Sequence, residues 1–328
     1  MPRISVLLNT YNYGTLVSGA LESVLGQTRP ADEIVVVDDG STDGTKTAVT
    51  AFGPSIRYVY QENSGQAQAI LRGIAESRGD ILCLLDADDA FHRDKLAVIE
   101  ECLNRDPHAG AIYNAYNIVN SAGAVIAENQ PVDFSPANLR KKALFRRAGG
   151  VPTSCISIRS SVAKTIRYPA NAFRVCADSY LLQVLPLLTE VLYAGDALTS
   201  YVIHGENRFI SQDDRTRTRM LAELEGITRN AVREYYGIDL YHSLYEIQSA
   251  GVQGNYRRVP REYLRALGYI AANWPGFQIA MKEIAKLHLY LFRAAGQMLR
   301  PPRRSDEWDA DVPGLPGRSS EPEGNEVP

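Results

Sequence analysis

Residues 81–85 form a short apolar run that ends directly on three carboxylates, Asp86, Asp88 and Asp89. A run of this length, with Gly79 before it, is typical of a strand that is buried on both faces of a parallel sheet. Such strands end at the carboxyl edge of the sheet, where ligands bind in open α/β folds. Clustered carboxylates repel one another unless a cation lies between them, and their oxygens suit Mg²⁺ or Mn²⁺. The run therefore predicts a metal site that holds a phosphate-bearing substrate.

The N-terminal part of the chain alternates between apolar runs and segments with helical spacing. This alternation predicts right-handed crossovers, so we expect an α/β fold with a Rossmann-like, mostly parallel sheet flanked by helices. The predicted strands cover residues 4–8, 33–37, 56–60 and 81–85, and the predicted helices cover residues 16–25, 46–52, 66–77 and 92–105.

Beyond Asp89 the pattern is less regular. We expect one α/β domain over residues 1–210, a helical C-terminal region over 211–300, and a disordered tail over 301–328 that is rich in Pro, Gly, Ser and acids. The elements predicted in the second half of the domain are strands over 109–113, 118–119, 124–126, 154–158 and 197–202, and helices over 133–148 and 178–189.

Composition narrows the class of protein. The net charge is −3 and no basic patch stands out, so we expect no nucleic-acid partner. The four cysteines are scattered and form no C-x-x-C pair, which argues against a zinc site or a disulfide framework and favours a reducing compartment. We find no signal-peptide pattern and no apolar window of about 18 residues, so we expect a cytoplasmic protein without transmembrane helices.

Two further predicted strands end on polar residues at the same edge of the sheet. The strand over 33–37 ends on Asp38 and Asp39, and the strand over 4–8 ends on Asn9-Thr10-Tyr11-Asn12. An acid can accept a hydrogen bond from a base N–H group or a ribose hydroxyl, and an aromatic ring can stack on a base. This edge therefore suits a nucleotide, with a metal ion to neutralise its diphosphate.

Five segments occur in an order that carries a specific resemblance, namely SVLLNTYNYG, LESVLGQT, EIVVVDDGSTDGT, NSGQAQA and LLDADD. They resemble the N-terminal half of family 2 glycosyltransferases, which have the GT-A fold, closely over residues 3–96 and more loosely as far as about 210. The resemblance implies that residues 1–210 are a catalytic domain that transfers a hexose-type sugar, with inversion, from a nucleoside diphosphate donor. The acceptor would be a hydroxyl of a saccharide or of a lipid-linked molecule.

The resemblance also implies roles for residues on the donor side. Thr10 and Tyr11 would frame the base, and Asn12 belongs to the same nucleotide-sugar-binding group. Asp39 would hydrogen-bond the base, which would be uracil or thymine, so the implied donor is a UDP- or dTDP-sugar. Gln66 remains as a polar contact on the helix that follows the Asn-x-Gly motif.

The implied cofactor is Mn²⁺ or Mg²⁺. By motif position, Asp88 would be the direct metal ligand and Asp86 would contact the ribose or the metal. Asp89 is expected to be a structural cap. His204 lies in a segment that resembles a family element after the last core strand, and it would approach the metal or the diphosphate.

Inversion requires a general base that deprotonates the acceptor hydroxyl. The family places this base at the start of a helix in the second half, usually in a Glu-Asp pair, and the matching residue is Asp178. Two departures from the family pattern stand out. Ala177 replaces the usual Glu, and Ile70 and Leu71 replace an Arg or Leu followed by Asn, which puts donor contacts from that helix in doubt.

Each of these roles has a plainer alternative. Asp86 and Asp88 could be solvated turn acids, Asp178 a helix cap and His204 a structural histidine. The chain could also be a catalytically silent nucleotide-sugar-binding module, for which Ala177 is the one hint. A nucleotidyltransferase is a further alternative. Such enzymes usually have a Gly-rich, basic phosphate-binding loop near the N-terminus, and this sequence has Asn9-Thr10-Tyr11-Asn12-Tyr13 there instead.

Residues 276–299 form one amphipathic segment with interleaved Lys and Arg. Such a helix can lie on a membrane surface, pack on its own domain, or dimerise. We favour packing or a homodimer through the C-terminal helices. Because the acceptor of such an enzyme can be lipid-linked, peripheral contact with the inner face of the membrane stays open. The basic residues of the predicted helix over 133–148 are expected to form an exposed face.

Overall fold

The computed structural model of the protein describes residues 1–130, 151–170, 172–205, 207, 212 and 214–238. These residues form a nine-stranded sheet with helices packed on both faces. The helix predicted over 133–148, the amphipathic segment over 276–299 and the tail over 301–328 lie outside the described residues.

The strands are numbered in chain order: β1 Ile4–Thr10, β2 Glu33–Asp38, β3 Ile56–Tyr60, β4 Ile81–Asp86, β5 Ala90–Phe91, β6 Ala109–Asn120, β7 Val125–Gln130, β8 Ile156–Arg159 and β9 Glu190–Ile203. The helices are α1 Val17–Leu25, α2 Thr45–Thr50, α3 Gln66–Glu76, α4 Lys95–Arg105, α5 Ser160–Ala163, α6 Ala177–Leu188 and α7 Asp214–Tyr236. Two short 3₁₀ turns cover Gly53–Ser55 and Thr153–Cys155.

The sheet has the order β3-β2-β1-β4-β8-β6-β9-β5, with β7 paired to β6. β1 pairs in parallel with both β2 and β4, and β2 pairs in parallel with β3. The carboxyl ends of these strands therefore meet at one edge, where Thr10 lies opposite Asp38 and Asn9 lies opposite Asp86. Beyond β4 the pattern changes, because β8 runs antiparallel to both β4 and β6 before β9 pairs in parallel with β6.

Alternate side chains of β1 enter two separate apolar cores. Leu7 packs into the core beneath α3 and α6, whereas Ile4, Val6 and Leu8 pack into the core beneath α1, α2 and α4. At Gly73 of α3, an added Cβ would lie 2.4 Å from Leu7 Cδ1. A side chain at position 73 would force Leu7 to move, so glycine allows α3 to pack closely on β1.

The strands and helices predicted before residue 106 are all confirmed, to within three residues at each end. The mixed α/β sheet with its parallel N-terminal half is therefore as the sequence pattern predicts. The two-residue strand β5, which pairs antiparallel with β9, was not predicted, because two residues show no periodicity.

The strands predicted over 109–113 and 118–119 are one continuous strand, β6, so the predicted break is wrong. Polar residues interrupt the apolar pattern there. One of them, Asn114, is fully buried, and its side chain accepts a hydrogen bond from Lys95 and donates one to Thr199. Buried polar partners thus replace the apolar contacts that a strand pattern usually shows.

The last strand, predicted over 197–202, begins much earlier, at Glu190. The ladder with β6 shifts register after Ala194, so that Gly195 and Asp196 bulge out of it, and both are exposed. A Gly-Asp pair is typical of a turn, so the sequence pattern predicts a turn at these residues and misses the part of the strand before them.

Within the predicted helical region over 211–300, the structure describes the helix α7 and two residues after it, Gly237 and Ile238. Val232 of α7 is fully buried in the core beneath α3 and α6, so this helix packs on the α/β domain. None of the helices in the described ranges combines the length and the apolar character that crossing a membrane requires.

Candidate active site

The carboxyl ends of β1, β2 and β4 open into a cavity of about 380 Å³. The turn after Val151, the loop before α6, and β9 form its facing wall. The sequence-predicted residues that line the cavity are Thr10, Tyr11, Asp39, Gln66, Asp86, Asp88 and Asp178. Two other predicted residues, Asn12 and His204, lie outside this lining.

The acid loop, which we define as residues 86–89, is the most charged part of the cavity. One carboxylate oxygen from each of Asp86, Asp88 and Asp89 lies within 4.8 Å of the others. Like charges at such distances disfavour ionisation of one another, and a divalent cation between them removes that penalty. The spacing is compatible with a metal site, and the three side chains differ in their other contacts.

Asp86 is held by two amide side chains. Asn9 Nδ2 donates to Asp86 Oδ1 over 2.6 Å, and Gln66 Nε2 donates to the same oxygen over 3.0 Å. Burial, together with the carboxylates of Asp88 and Asp178, raises the pKa of Asp86 to about 7. Near neutral pH this carboxyl therefore exchanges between its two protonation states, and a bound cation would favour the charged one.

Asp88 contacts the segment that follows β9. His204 Nε2 lies 3.1 Å from Asp88 Oδ2, and Asn207 Nδ2 donates to the same oxygen over 3.3 Å. The two partners also hold each other, because His204 N donates to Asn207 Oδ1 over 2.5 Å. The ring of Tyr13 packs edge-on against that of His204, with centroids 5.7 Å apart. The second half of the chain thus contacts the predicted metal ligand directly.

Asp89 is the buried member of the acid loop. Ser154 Oγ donates to Asp89 Oδ2 over 2.6 Å, and Val202 N donates to Oδ1 over 3.1 Å. Burial raises the pKa of Asp89 well above its ordinary value. The predicted capping role is wrong, because α4 begins at Lys95 and Asp94 is its N-cap residue. Asp89 instead joins two distant parts of the chain.

Asp39, which follows β2, accepts hydrogen bonds from three donors. Gln61 Nε2 and Ser64 N donate to Oδ1 over 2.7 and 2.8 Å, and Gly65 N donates to Oδ2 over 2.8 Å. Gly65 has a φ of +93°, and a Cβ there would lie 2.6 Å from Arg174 Cα, so this turn requires glycine. Because Oδ2 accepts one backbone hydrogen bond, it has capacity for a second donor.

Thr10 and Asn12, at the end of β1, differ in their surroundings. Thr10 is buried, and among the described residues its Oγ1 has no hydrogen-bond partner. Asn12 has a φ of 57°, its N donates to Ser41 Oγ over 2.8 Å, and its Oδ1 accepts from Thr42 N over 2.8 Å. Asn12 therefore ties two loops together, while Thr10 offers a buried hydroxyl beside the cavity that a ligand could satisfy.

Gln66 is the first residue of α3 and connects both walls of the cavity. Besides Asp86, its Nε2 reaches Thr153 Oγ1 over 3.2 Å. Its Oε1 accepts a hydrogen bond from Ala177 N, at the start of α6, over 2.9 Å. Its own N donates to Arg174 O over 3.1 Å. One side chain thus links the acid loop, the 3₁₀ turn after β7 and the helix that carries Asp178.

Asp178 lies in the first turn of α6 and lines the cavity. Cys176, with a φ of 58°, turns the chain sharply into this helix. The carboxylate of Asp178 contributes to the raised pKa of Asp86, so the two acids share one electrostatic environment. Ala177, where the family motif usually has an acid, is fully buried in the core.

An aromatic wall was missed by sequence reasoning. Tyr116 of β6 and Tyr201 of β9 line the cavity, with ring centroids 6.1 Å apart. Burial raises the pKa of Tyr201, and the nearby carboxylates of Asp89 and Asp88 raise it further, so its hydroxyl lies among the acids. Tyr201 follows buried Thr199 by two residues, and this alternation along β9 is the signal that could have revealed it.

Arg174, in the loop before α6, is the one cationic side chain among the described residues that line the cavity. Its guanidinium donates to Asn63 Oδ1. In a cavity with four carboxylates, a fixed cation of this kind can pair with an anionic part of a ligand. A loop residue has no periodic signal, and the sequence pattern therefore did not single it out.

The comparisons with known proteins agree with this geometry. The family model described as "Glycosyl transferase family 2" matches residues 5–167. An uncharacterized glycosyltransferase of Nostoc sp. is 29% identical over 236 residues, which are 69% of this chain and 72% of the relative. An uncharacterized glycosyltransferase of Rickettsia felis is 30% identical over 157 residues, which are 47% of this chain and 26% of the relative.

Solved structures show the same fold at low sequence identity. Residues 1–349 of S. aureus TarS, in complex with UDP, superpose with a TM-score of 0.53 at 16% identity, over 92% of this chain and 94% of that one. The mannosyltransferase PcManGT of Pyrobaculum calidifontis, in complex with GDP-Man and Mn²⁺, gives a TM-score of 0.54 at 20% identity, over 90% and 85% of the two chains. The protein is therefore a glycosyltransferase with the GT-A fold, and its residues 5–167 match the model of glycosyl transferase family 2.

Proposed function

We propose that this glycosyltransferase moves a hexose-type sugar, with inversion, from a UDP- or dTDP-sugar to an acceptor hydroxyl with the help of a divalent cation. The observation that carries the proposal is one shared cavity. It holds Asp86, Asp88, Tyr11 and Asp39 on one wall and Asp178 on the facing wall. An inverting transfer needs charge stabilisation on the leaving diphosphate and a base on the opposite face of the sugar.

Tyr11, Thr10 and Asp39 would bind the nucleotide. Tyr11 offers a ring for stacking, and Thr10 Oγ1 and Asp39 Oδ2 both have hydrogen-bonding capacity next to the cavity. The imide N–H of uracil or thymine is a donor that suits Asp39, which favours UDP or dTDP. TarS was solved with UDP and with UDP-GlcNAc, and PcManGT with GDP-Man, which supports a nucleotide-sugar donor in this chain also.

Asp88 and Asp86 would hold Mn²⁺ or Mg²⁺, with His204 next to them. The fit rests on the chemistry of the donor set, because the carboxylate oxygens lie within 4.8 Å of one another and hard divalent cations prefer such ligands. Burial raises the pKa of Asp86, and the like charges of Asp88 and Asp178 raise it further. When bound, a cation of this kind stabilises the negative charge that develops on the leaving diphosphate.

Asp178 would accept the proton of the acceptor hydroxyl. It lies in the first turn of α6, where the helix dipole favours the charged, proton-accepting form of a carboxylate. The aromatic wall of Tyr116 and Tyr201 adds apolar surface to the cavity, which suits a saccharide or lipid-linked saccharide as the acceptor.

Hydrolysis of the donor without acceptor tests the proposal against a silent nucleotide-sugar-binding module. A panel of UDP-, dTDP- and GDP-sugars is incubated with the protein and Mn²⁺, and nucleotide release is followed by chromatography. We expect slow release of UDP or dTDP that stops with EDTA and in Asp88→Asn. Binding without release from any donor would favour the silent module, because an active site usually transfers sugar slowly to water.

A further inference from the structure

Behind the acid loop lies a polar cluster that the proposed transfer does not use. Lys95, the first residue of α4, is fully buried. Its Nζ donates to Asn114 Oδ1 over 3.0 Å, to Thr199 Oγ1 over 3.1 Å and to the Ser154 carbonyl. It also lies 4.0 Å from the centroid of the Phe91 ring. A lysine is rarely buried in this way unless its charge is satisfied.

The geometry indicates that Lys95 is charged. Three oxygen acceptors surround Nζ, and an ammonium group has three protons to donate. Burial lowers the pKa of Lys95 to about 8, which still leaves the group protonated at neutral pH. Against this effect of burial, the side chains of Cys155, Cys83 and Asp89, in that order, raise the pKa of Lys95.

Ser154 connects Lys95 to Asp89. Its carbonyl accepts from Lys95, while its hydroxyl donates to Asp89 Oδ2 over 2.6 Å. The same hydroxyl accepts a hydrogen bond from Asp86 N over 3.0 Å. Ser154 is itself fully buried. The acid loop is therefore fixed at both ends, at Asp86 and at Asp89, by one buried serine.

Asp89 and Lys95 also fix β9. Asp89 Oδ1 accepts from Val202 N over 3.1 Å, and Thr199 Oγ1 accepts from Lys95 and donates to the Ser154 carbonyl over 3.1 Å. Val202 lies two residues before His204, which contacts Asp88. The same buried groups therefore hold both sides of the contact between Asp88 and the end of β9.

We propose that Lys95, Ser154 and Asp89 form a buried positioning network that holds the acid loop against the end of β9. The network sets the spacing of Asp88 and His204, and so the affinity for the divalent cation, without contacting substrate or cation. This inference rests on the proposed function, since it assigns a role toward the proposed metal site. An apolar side chain at position 95 would fill the space, but it would leave Ser154, Asn114 and Thr199 without their common donor.

Ser154→Ala tests the network without changing any charge, and Ser157→Ala is its matched control. Ser157 is equally buried, but its hydroxyl contacts Cys83 Sγ at 3.4 Å, outside the network. Mn²⁺ is titrated into each UDP-loaded protein and free Mn²⁺ is followed by electron paramagnetic resonance. We expect Ser154→Ala to weaken Mn²⁺ binding about 10-fold or more, as changes behind metal ligands do. UDP affinity in EDTA and the affinity of Ser157→Ala for Mn²⁺ should equal those of the wild type.

Thr199→Val tests the part of the network around Lys95. If Ser154→Ala is too unstable to purify, Thr199→Val alone tests the proposal. It removes one acceptor of the ammonium at nearly constant volume and should weaken Mn²⁺ binding in the same direction, with the thermal midpoint measured alongside. Equal Mn²⁺ affinity in wild type, Ser154→Ala and Thr199→Val would overturn the network while leaving the proposed function intact. Absence of Mn²⁺ binding by the wild type would overturn both.

Discussion

The two walls of the cavity place their polar groups by different means. On the donor wall, Asp39 follows β2 and Asp86 ends β4, and both strands pair in parallel with β1, so the strand order brings the two acids to one edge. On the facing wall, Asp178 comes from α6, Tyr201 from β9 and Asn207 from the segment after β9. This part of the chain lies where parallel and antiparallel strand pairs mix. The positions of these residues depend on contacts between side chains that are distant in sequence.

The donor wall therefore depends mainly on the strand order, and the facing wall depends mainly on hydrogen bonds between distant residues. Gln66 is the side chain that connects both walls, and Asp89 connects the acid loop to β9. Substitutions on the facing wall should therefore impair transfer while sparing nucleotide binding. Substitutions on the donor wall should impair both.

Asp178→Asn should have the largest effect on turnover. Loss of a general base lowers kcat by about 10²- to 10⁴-fold, and because Asp178 is on the facing wall, the affinity for UDP should stay at the wild-type value. Asp196→Asn, on an exposed residue of β9, is the control. Turnover by steady-state kinetics and UDP affinity by calorimetry separate the two effects, and full turnover of Asp178→Asn would remove it from the mechanism.

Gln66→Ala should have an intermediate effect, because it breaks the link between the walls. Loss of the contacts to Asp86 and Ala177 shifts both relative to the substrate, and a shift of this kind can lower kcat by about 10- to 100-fold. Hydrogen exchange should also become faster at the first turn of α6. Gln68→Ala on the same helix, outside the cavity lining, should behave like the wild type. A loss of UDP affinity alone would make Gln66 a plain donor contact.

The smallest effect that we predict is on stability rather than on turnover, since Asp86→Asn should stabilise the protein in the absence of metal. The folded state binds the Asp86 proton more tightly than the unfolded chain does, so stability from this group falls as pH rises from 3.8 to about 7. Asparagine removes this penalty. The thermal midpoint of the variant should therefore exceed that of the wild type at pH 8, by roughly 2–4 °C per kcal/mol, and the difference should vanish near pH 4. The prediction would be contradicted if the difference in thermal midpoint between the variant and the wild type were the same at pH 8 and at pH 4.

The donor wall could be predicted from sequence because apolar runs locate the strands and parallel strands end at a common edge. Asp86, Asp88, Asp39 and Tyr11 all follow such runs, and all line the cavity. Their individual contacts were not predictable, since the pairing of Asp86 with Asn9 depends on the register between β4 and β1.

The facing wall was predicted only where a motif marked it, at Asp178. Tyr201 and Thr199 lie within the strand predicted over 197–202, but their positions in the site depend on how β9 pairs with β6. From the sequence, Lys95 is expected to be a solvated helix residue. No local pattern indicates that Asn114 and Thr199 will contact it in the folded chain. Contacts between buried polar side chains far apart in the chain leave no periodic signal.

Calorimetric titration of UDP into the wild type and into Asp88→Asn, each with and without Mn²⁺, tests the central claim most directly. The claim is that the acid loop is a metal site that holds the diphosphate of a nucleotide-sugar. The prediction is that Mn²⁺ tightens UDP binding about 10-fold or more in the wild type and leaves it unchanged in Asp88→Asn. If none of the three nucleotides UDP, dTDP and GDP binds to the wild type in a Mn²⁺-dependent way, the claim is contradicted.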